Sequence, residues 1–308
     1  MTMAIKKRNF LYYLIHDRDL YLMVLPGIVL VGVLTYGPMF GVVLAFKDYN
    51  ILLGIWGSPW ADPPWKYFLQ FFNDPFFFRV VRNTVLMSFY TLVWGFPIPV
   101  IFALLINEIR HQRFKKGVQL ITYLPHFISN VVIIGIAMFL LEPRGLINEF
   151  IMWLGFPRQL FLANPRFFRT IMITMGKWQH TGWDAIIYLA AIASVSPELY
   201  ESARIDGATR LQCARYITLP SIMPVIRILL ILEIGGLFNV GMESILLMYN
   251  PGIYETADVI STYVYRRGLL DMNYNFGTAV GMFNSVINMI LIFLANTFSR
   301  KVSGEGLW

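Results

Sequence analysis

The sequence predicts an all-α protein, a polytopic membrane helical bundle of about six transmembrane helices, on three observations. Six apolar runs are each long enough to cross a bilayer. Charged residues make up 14% of the 308 and hydrophobic ones 57%, whereas a soluble domain carries about a quarter charged residues. The charges that are present gather in the segments between the runs, too few to cover a water-facing surface.

The runs cover residues 21–46, 81–106, 118–141, 168–195, 219–247 and 278–299. At 1.5 Å rise per residue, about 20 residues cross a ~30 Å hydrocarbon core. Backbone N–H and C=O groups cannot stay unpaired in lipid, so the spans must be helices. Pro26, Pro38, Pro97, Pro99 and Pro224 fall inside them and are expected to kink or locally unwind them.

Residues 1–20 precede the first span. Lys6, Lys7 and Arg8 open this head, and Phe10, Leu11, Leu14 and Ile15 recur at helical spacing. That pattern suits an amphipathic helix in the cytoplasmic membrane interface. No small-residue cleavage site follows, so a cleaved signal peptide is not expected. The 107–117 loop carries Arg110, Arg113, Lys115 and Lys116. Lys and Arg concentrate on the cytoplasmic side, which places this loop and the head inside. With six spans the C-terminus, with Arg300 and Lys301, is then cytoplasmic too, as is the 196–218 loop. The 47–80 segment, rich in aromatics such as Trp56, Trp60 and Trp65, reads as an outer interfacial loop.

The fourth span contains Lys177, His180 and Asp184, at i, i+3 and i+7 on one helical face. Lys177 falls near the bilayer midplane, where a charge costs a few kcal/mol or more unless paired or hydrated, so the stripe is expected to face a polar cavity. Trp178, Trp183 and Tyr188 add faces on which sugar rings could stack. The fifth span adds Arg227, Glu233, Asn239 and Glu243. The plainer reading is that Lys177 pairs with Asp184, or Arg227 with Glu233, and that Arg227 snorkels to the cytoplasmic surface.

Residues 196–218 form a short polar segment between two long spans. Ser196-Pro197-Glu198 is a helix start, with a hydroxyl N-cap, a first-turn proline and a first-turn carboxylate. The helix is expected to run about ten residues and stop at Asp206-Gly207, glycine allowing the left-handed turn that ends it. Leu199, Ala203 and Ile205 give it an apolar surface, and Glu201 and Arg204 charges that a partner could pair.

The residues from Glu201 to Pro220 read E-S-A-R-I-D-G-A, then a stretch to Tyr216, then I-T-L-P. This resembles the EAA loop of ABC importer permeases, the binding-protein-dependent inner-membrane components, although Ser202 stands where the family usually has alanine. Tyr123 to Ser129, Ala257 to Gly268 and Thr278 to Ser285 are similar to permeases for polysaccharide and oligosaccharide uptake, a group that includes a permease of the bacterial alginate importer. The resemblance implies the type I ABC importer permease fold. It also implies coupling to an ATPase through Glu201, Ala203, Asp206, Gly207, Ala208, Ile217, Leu219 and Pro220. Implied partners are a second homologous permease, two copies of a cytoplasmic ABC ATPase, an extracytoplasmic solute-binding protein and the lipid bilayer. The chain would sit in the bacterial cytoplasmic membrane as a non-catalytic subunit importing carbohydrate, an acidic polymer such as alginate included.

No phosphate-binding glycine loop and no metal-spaced His/Cys cluster occurs in the sequence. No cofactor is therefore expected in this chain, ATP and Mg being expected on the ATPase. The single cysteine, Cys213, excludes an internal disulfide. Basic loops account for the net charge of +7 without nucleic acid. Two other readings start from the same residues. A secondary transporter would use Lys177, His180 and Asp184 as a proton relay, but no repeat pair is visible. A membrane enzyme would use His180 and Asp184, but no nucleophile or metal set stands near them.

Overall fold

The computed structural model describes residues 18–303 together with His16 and Gly306, and every named element among them is helical. Most of the head segment, including Phe10, Leu11, Leu14 and Ile15, lies outside the described residues. Long helices run over Arg18–Phe46 (α1), Phe77–Asn107 (α3), Pro165–Ala193 (α7), Arg210–Gly235 (α9) and Tyr274–Ser303 (α12). Between them lie Lys66–Phe72 (α2), Gln112–Tyr123 (α4), Asn130–Leu141 (α5), Leu146–Trp153 (α6), Pro197–Ile205 (α8), Met242–Met248 (α10) and Ile260–Val264 (α11).

Three prolines leave a common mark. Wide turns at Gly32–Tyr36, Thr91–Gly95 and Ala214–Thr218 immediately precede Pro38, Pro97 and Pro220. A proline ring clashes with the carbonyl one turn back and donates no hydrogen bond, and widening that turn relieves both problems. Pro26 and Pro224 lie inside helical segments that are not interrupted at them, so neither unwinds its helix.

Two of the expected spans are interrupted. The run 118–141 is not one helix: α4 ends at Tyr123, a tight turn covers Leu124–Phe127, and α5 restarts at Asn130. Pro125 lacks the N–H that would continue α4. Ser129 then caps the new start, its hydroxyl accepting from the Val132 N–H. Gln179 of α7 donates to the Ile128 carbonyl at 3.1 Å. Broken backbone at membrane depth is tolerated where protein satisfies it in this way. The run 219–247 is likewise shorter than expected. α9 begins earlier, at Arg210, and stops at Gly235-Gly236, so Asn239 and Glu243 lie beyond its end.

Three apolar clusters hold the bundle together. One joins Phe71, Tyr263, Phe276 and Val280 with the end of α1. A second joins Ile134, Phe168, Ile171 and Ile245. The third packs Val100 and Ala103 against Ala185, Tyr188, Ile192 and Ile222. The 47–80 segment is therefore more than an interfacial loop. Trp56, Trp60 and Trp65 are exposed, but Phe71 is 1% exposed and Tyr67 is buried.

Polar contacts fasten that segment. Lys66 and the Tyr67 hydroxyl both donate to Asp48, at 2.8 and 2.6 Å, and Asn275 of α12 donates to the Tyr67 hydroxyl at 2.8 Å. The bonds from Lys66 and then Tyr67 hold the Asp48 carboxyl below its ordinary value of 3.8. A lowered folded-state pKa contributes stability that is complete above the unfolded value and disappears as pH falls through the folded one. The loop is thus expected to stay fastened until pH drops below the ordinary carboxylate range. In Lys66→Ala its release, followed by the fluorescence of neighbouring Trp65, should shift to higher pH. An unshifted transition would mean that the Asp48 bonds do not hold the loop.

A second polar cluster joins α3 to the segment before α12. Asp258 is 0% exposed and accepts from Arg79 at 2.8 Å, Arg266 at 2.9 Å and the Tyr249 hydroxyl at 2.6 Å. Burial, and then the bond to Asp258, pushes the Tyr249 hydroxyl well above its ordinary pKa, so it remains a donor. Asn83 donates to the Glu255 and Asp258 carbonyls at 2.9 and 3.0 Å.

Candidate functional site: a coupling helix and a cationic cleft

The polar segment forms α8 as expected, from Pro197 to Ile205. Ser196 occupies the N-cap position, but its side chain makes no capping bond. Gly207 ends the helix at φ +81° with the Ala208 N–H bonded to the Ala203 carbonyl at 2.8 Å. Thr209 then caps the next helix in a reciprocal pair with Gln212, a signal already present in the sequence as T-R-L-Q. Glu201, Asp206, Gly207 and Pro220 are exposed, and Ala203, Ala208, Ile217 and Leu219 are half-buried. The Tyr200 hydroxyl bonds the Thr218 hydroxyl at 2.9 Å, which ties α8 to the buried base of α9. Leu199, Ile205, Leu211 and Tyr216 are exposed, Ile205 at 86%. The arrangement is a short helix carrying apolar and charged groups, fixed to a long helix by a side-chain bond and by continuous chain.

The residues expected to line a pathway divide. Lys177, Asp184 and Tyr188 meet Glu233 in a cavity of about 270 Å³ between α3, α7 and α9. No salt bridge among the described residues takes up Lys177, Asp184 or Glu233. Mutual neutralisation of Lys177 and Asp184 by direct contact is thus not what the structure has. Glu233 also borders a further space of about 270 Å³ with Ser88, Thr91 and Asn239. Asn239 accepts from Asn284 at 3.4 Å and Asn288 at 3.2 Å, while Glu243 accepts from Asn130 at 2.7 Å.

His180 leaves the stripe. Its Nδ1 lies 3.1 Å from Nδ1 of His126, and the His126 ring stacks on Trp183 with centroids 4.4 Å apart. The i, i+3, i+7 spacing spreads over enough of the helix surface for α4 and its terminal turn to take one edge and the cavity the other.

A larger space than either of these was not legible from the stripe. It is a cleft of about 910 Å³ walled by α3, α7 and the end of α4. On α3 it is lined by Tyr90, Trp94, Ile98 and Phe102 at four-residue spacing, one helical face. On α7 it is lined by Arg166, Arg169, Lys177 and Trp178. Lys177 lies directly over Gly95: a Cβ there would fall 2.1 Å from the Lys177 Cε. The missing side chain of Gly95 therefore gives the ammonium its place between the cleft and the smaller cavity. Arg166, Arg169 and Trp94 escaped the sequence reading because they stand at span ends or among apolar neighbours. Only the packing of α3 on α7 brings them together.

Comparison with known proteins places this geometry. Residues 71–304 match the family model of the binding-protein-dependent transport system inner membrane component. The chain is 42% identical over 304 residues to the polygalacturonan/rhamnogalacturonan transport system permease protein YteP of Bacillus subtilis (strain 168), covering 98% of this chain and 94% of that one. It is 42% identical over 293 residues to protein LplB of the same organism, covering 95% and 92%. Among solved structures it is similar to a chain of the bacterial alginate ABC transporter in complex with an alginate pentasaccharide-bound periplasmic protein. That chain has a TM-score of 0.89 and 42% identity, with 97% of this chain and 100% of the other covered. With a match over most of its length and relatives this similar, the chain belongs to the binding-protein-dependent transport system inner membrane components, as a membrane-embedded transport permease of type I fold.

Proposed function

We propose that this chain is one permease subunit of an ATP-driven importer for polysaccharide or oligosaccharide, acidic chains included. It works beside a second, homologous permease, over two copies of a cytoplasmic ABC ATPase, and takes substrate from an extracytoplasmic binding protein. ATP and Mg are held by the ATPase, and this chain catalyses no reaction. Both termini and α8 face the cytoplasm, in the bacterial cytoplasmic membrane.

The observation that carries the reading is α8 itself. An exposed helix closed by Gly207 and anchored through Tyr200–Thr218 to α9 can pass a push from a partner into the bundle. Glu201, Ala203, Asp206 and Gly207 meet the ATPase, and Ala208, Ile217, Leu219 and Pro220 carry the turn back into α9. Lys177, Trp178, Asp184, Tyr188 and Glu233 border the path. The permeases named for polygalacturonan/rhamnogalacturonan and alginate support the substrate class. An ion-coupled carrier is disfavoured because His180 is bonded to His126 and does not line the cavity that Lys177, Asp184 and Glu233 share.

The test is mass spectrometry of what co-purifies with the chain from its native membrane in mild detergent. A cytoplasmic ATPase and a second permease are expected. Recovery of the chain alone, under conditions that preserve comparable complexes, would remove the coupling role of α8.

A further inference from the structure

Two basic stretches meet at one end of the bundle. The first joins α3 to α4 and carries Arg110, Arg113, Lys115 and Lys116. The second is the base of α9, with Arg210 and Arg215. They are far apart in sequence, and the fold brings them together: the Arg210 Nη1 donates to the Glu108 carbonyl at 3.5 Å. His111 fixes the first stretch, its Nδ1 accepting from the Phe114 N–H at 3.2 Å. Both stretches stand at the ends of membrane-crossing helices, so they lie at the membrane surface.

The charges there are not answered within the described residues. Glu108 is the only acid in residues 108–116 and 209–218, and it is half-buried. None of the ion pairs among the described residues uses any of the six cations. Arg110, Arg113, Lys116, Arg210 and Arg215 are exposed and Lys115 is half-buried. Like charges gathered in this way repel one another, and a surface of one sign draws an anion from its surroundings.

Apolar groups beside the cations indicate which anion. Phe114 is 62% exposed, Leu211 79% and Tyr216 67%. Leu211 and Arg215 share a face of α9 at i, i+4, and the Arg215 guanidinium lies 5.6 Å from the Tyr216 ring centroid. Basic side chains among exposed rings and aliphatic groups match the boundary between headgroups and acyl chains, where rings sit at headgroup level and cations reach out to phosphate. A free anion would answer the charges and leave the apolar groups in water.

Resting on the importer reading for its cytoplasmic orientation, we propose that the 108–116 loop and the base of α9 together bind the headgroup of an anionic phospholipid of the cytoplasmic leaflet. The headgroup bridges two segments that Arg210 links by a long hydrogen bond. Through Thr218 and Tyr200 the base of α9 also holds α8, so the lipid steadies the seat of the coupling helix.

The test uses the assembled transporter in phosphatidylcholine nanodiscs that carry a trace of spin-labelled phosphatidylglycerol or spin-labelled phosphatidylcholine. Electron paramagnetic resonance reads the immobilised fraction of each lipid and so their relative association. Phosphatidylglycerol is expected to associate about fivefold or more tightly, the scale of a basic residue at an anionic surface. High salt should reduce the difference. Arg113→Gln with Lys116→Gln, and separately Arg210→Gln with Arg215→Gln, should each remove most of the preference. All four positions are exposed, so the fold is kept, as recovery of the assembled transporter would check. Arg300→Gln with Lys301→Gln, which neutralises two cations at the end of α12, should leave the preference in place. Equal association of the two lipids, the same loss from the α12 variant, or displacement of phosphatidylglycerol by soluble glycerol phosphate would overturn the proposal. So would loss of the ATPase from both double variants with the lipid preference intact, which would assign the patch to the ATPase. The importer reading fails on a separate observation, the absence of ATP-driven carbohydrate uptake with all partners present.

Discussion

Gly207→Val is expected to abolish ATP-coupled uptake in the reconstituted transporter while leaving the chain folded and inserted. The residue sits at φ +81° with nothing within 4 Å of where a Cβ would stand. The effect would therefore come from backbone conformation and not from a clash. A β-branched residue disfavours the left-handed region by roughly 1–2 kcal/mol or more. That strain is relieved most easily by redirecting the exposed end of α8, because its other connection, Tyr200 to Thr218, is held by the buried base of α9. A helix that still folds but presents Glu201 and Ile205 at a new angle would meet the ATPase out of register. Gly207→Asn is the matched control, since asparagine tolerates the left-handed region. It should retain most of the coupling. Full coupling in the valine variant would sink this account of α8. Equal loss in both variants would point to a contact at the glycine surface instead of its conformation.

Asp258→Ala is expected to destabilise the protein by about 3–5 kcal/mol, the cost of breaking a buried ionic cluster by removing one partner. Asp258 is fully buried, and its loss leaves Arg79 and Arg266 without their shared carboxylate. The Arg79 Nε is already buried without a partner, so little local compensation is at hand. The single cysteine offers the readout. Cys213 is 7% exposed in the native structure, so its labelling by a thiol-reactive dye on heating reports unfolding at a site on another element. Asp271→Ala is the contrast. It removes an exposed i,i+4 pair with Arg267 at 3.3 Å, and such pairs contribute less than about 1 kcal/mol. Similar labelling temperatures for the two variants would show that the Asp258 cluster is not a structural keystone.

The sequence by itself determined the membrane class, the position of four of the six long apolar helices and the bounds of α8. These depend on local chemistry: run length against bilayer thickness, and proline and glycine at the two ends of a short polar helix. Thr209 and Gln212 belong to the same category, because a capping box is written within four residues. The breaks at Pro125–Ser129 and Gly235-Gly236 were also written locally. They were passed over because hydropathy averages across one or two helix-breaking residues, so a run looks continuous where its backbone is not.

Only the tertiary structure decided which side chains meet. Lys177 and Asp184 share a cavity with Glu233 from another helix, whereas His180, three residues after Lys177, is paired with His126. Arg169 reaches Asn83, and Asn83 reaches the segment around Asp258. Such contacts depend on the rotation and crossing of helices far apart in sequence, fixed by close approaches such as Lys177 over Gly95 and Gly182 against the Thr122 carbonyl. Helical periodicity states which residues share a face. It carries no information about what that face is turned toward, and in a bundle that is where the chemistry of the path is set.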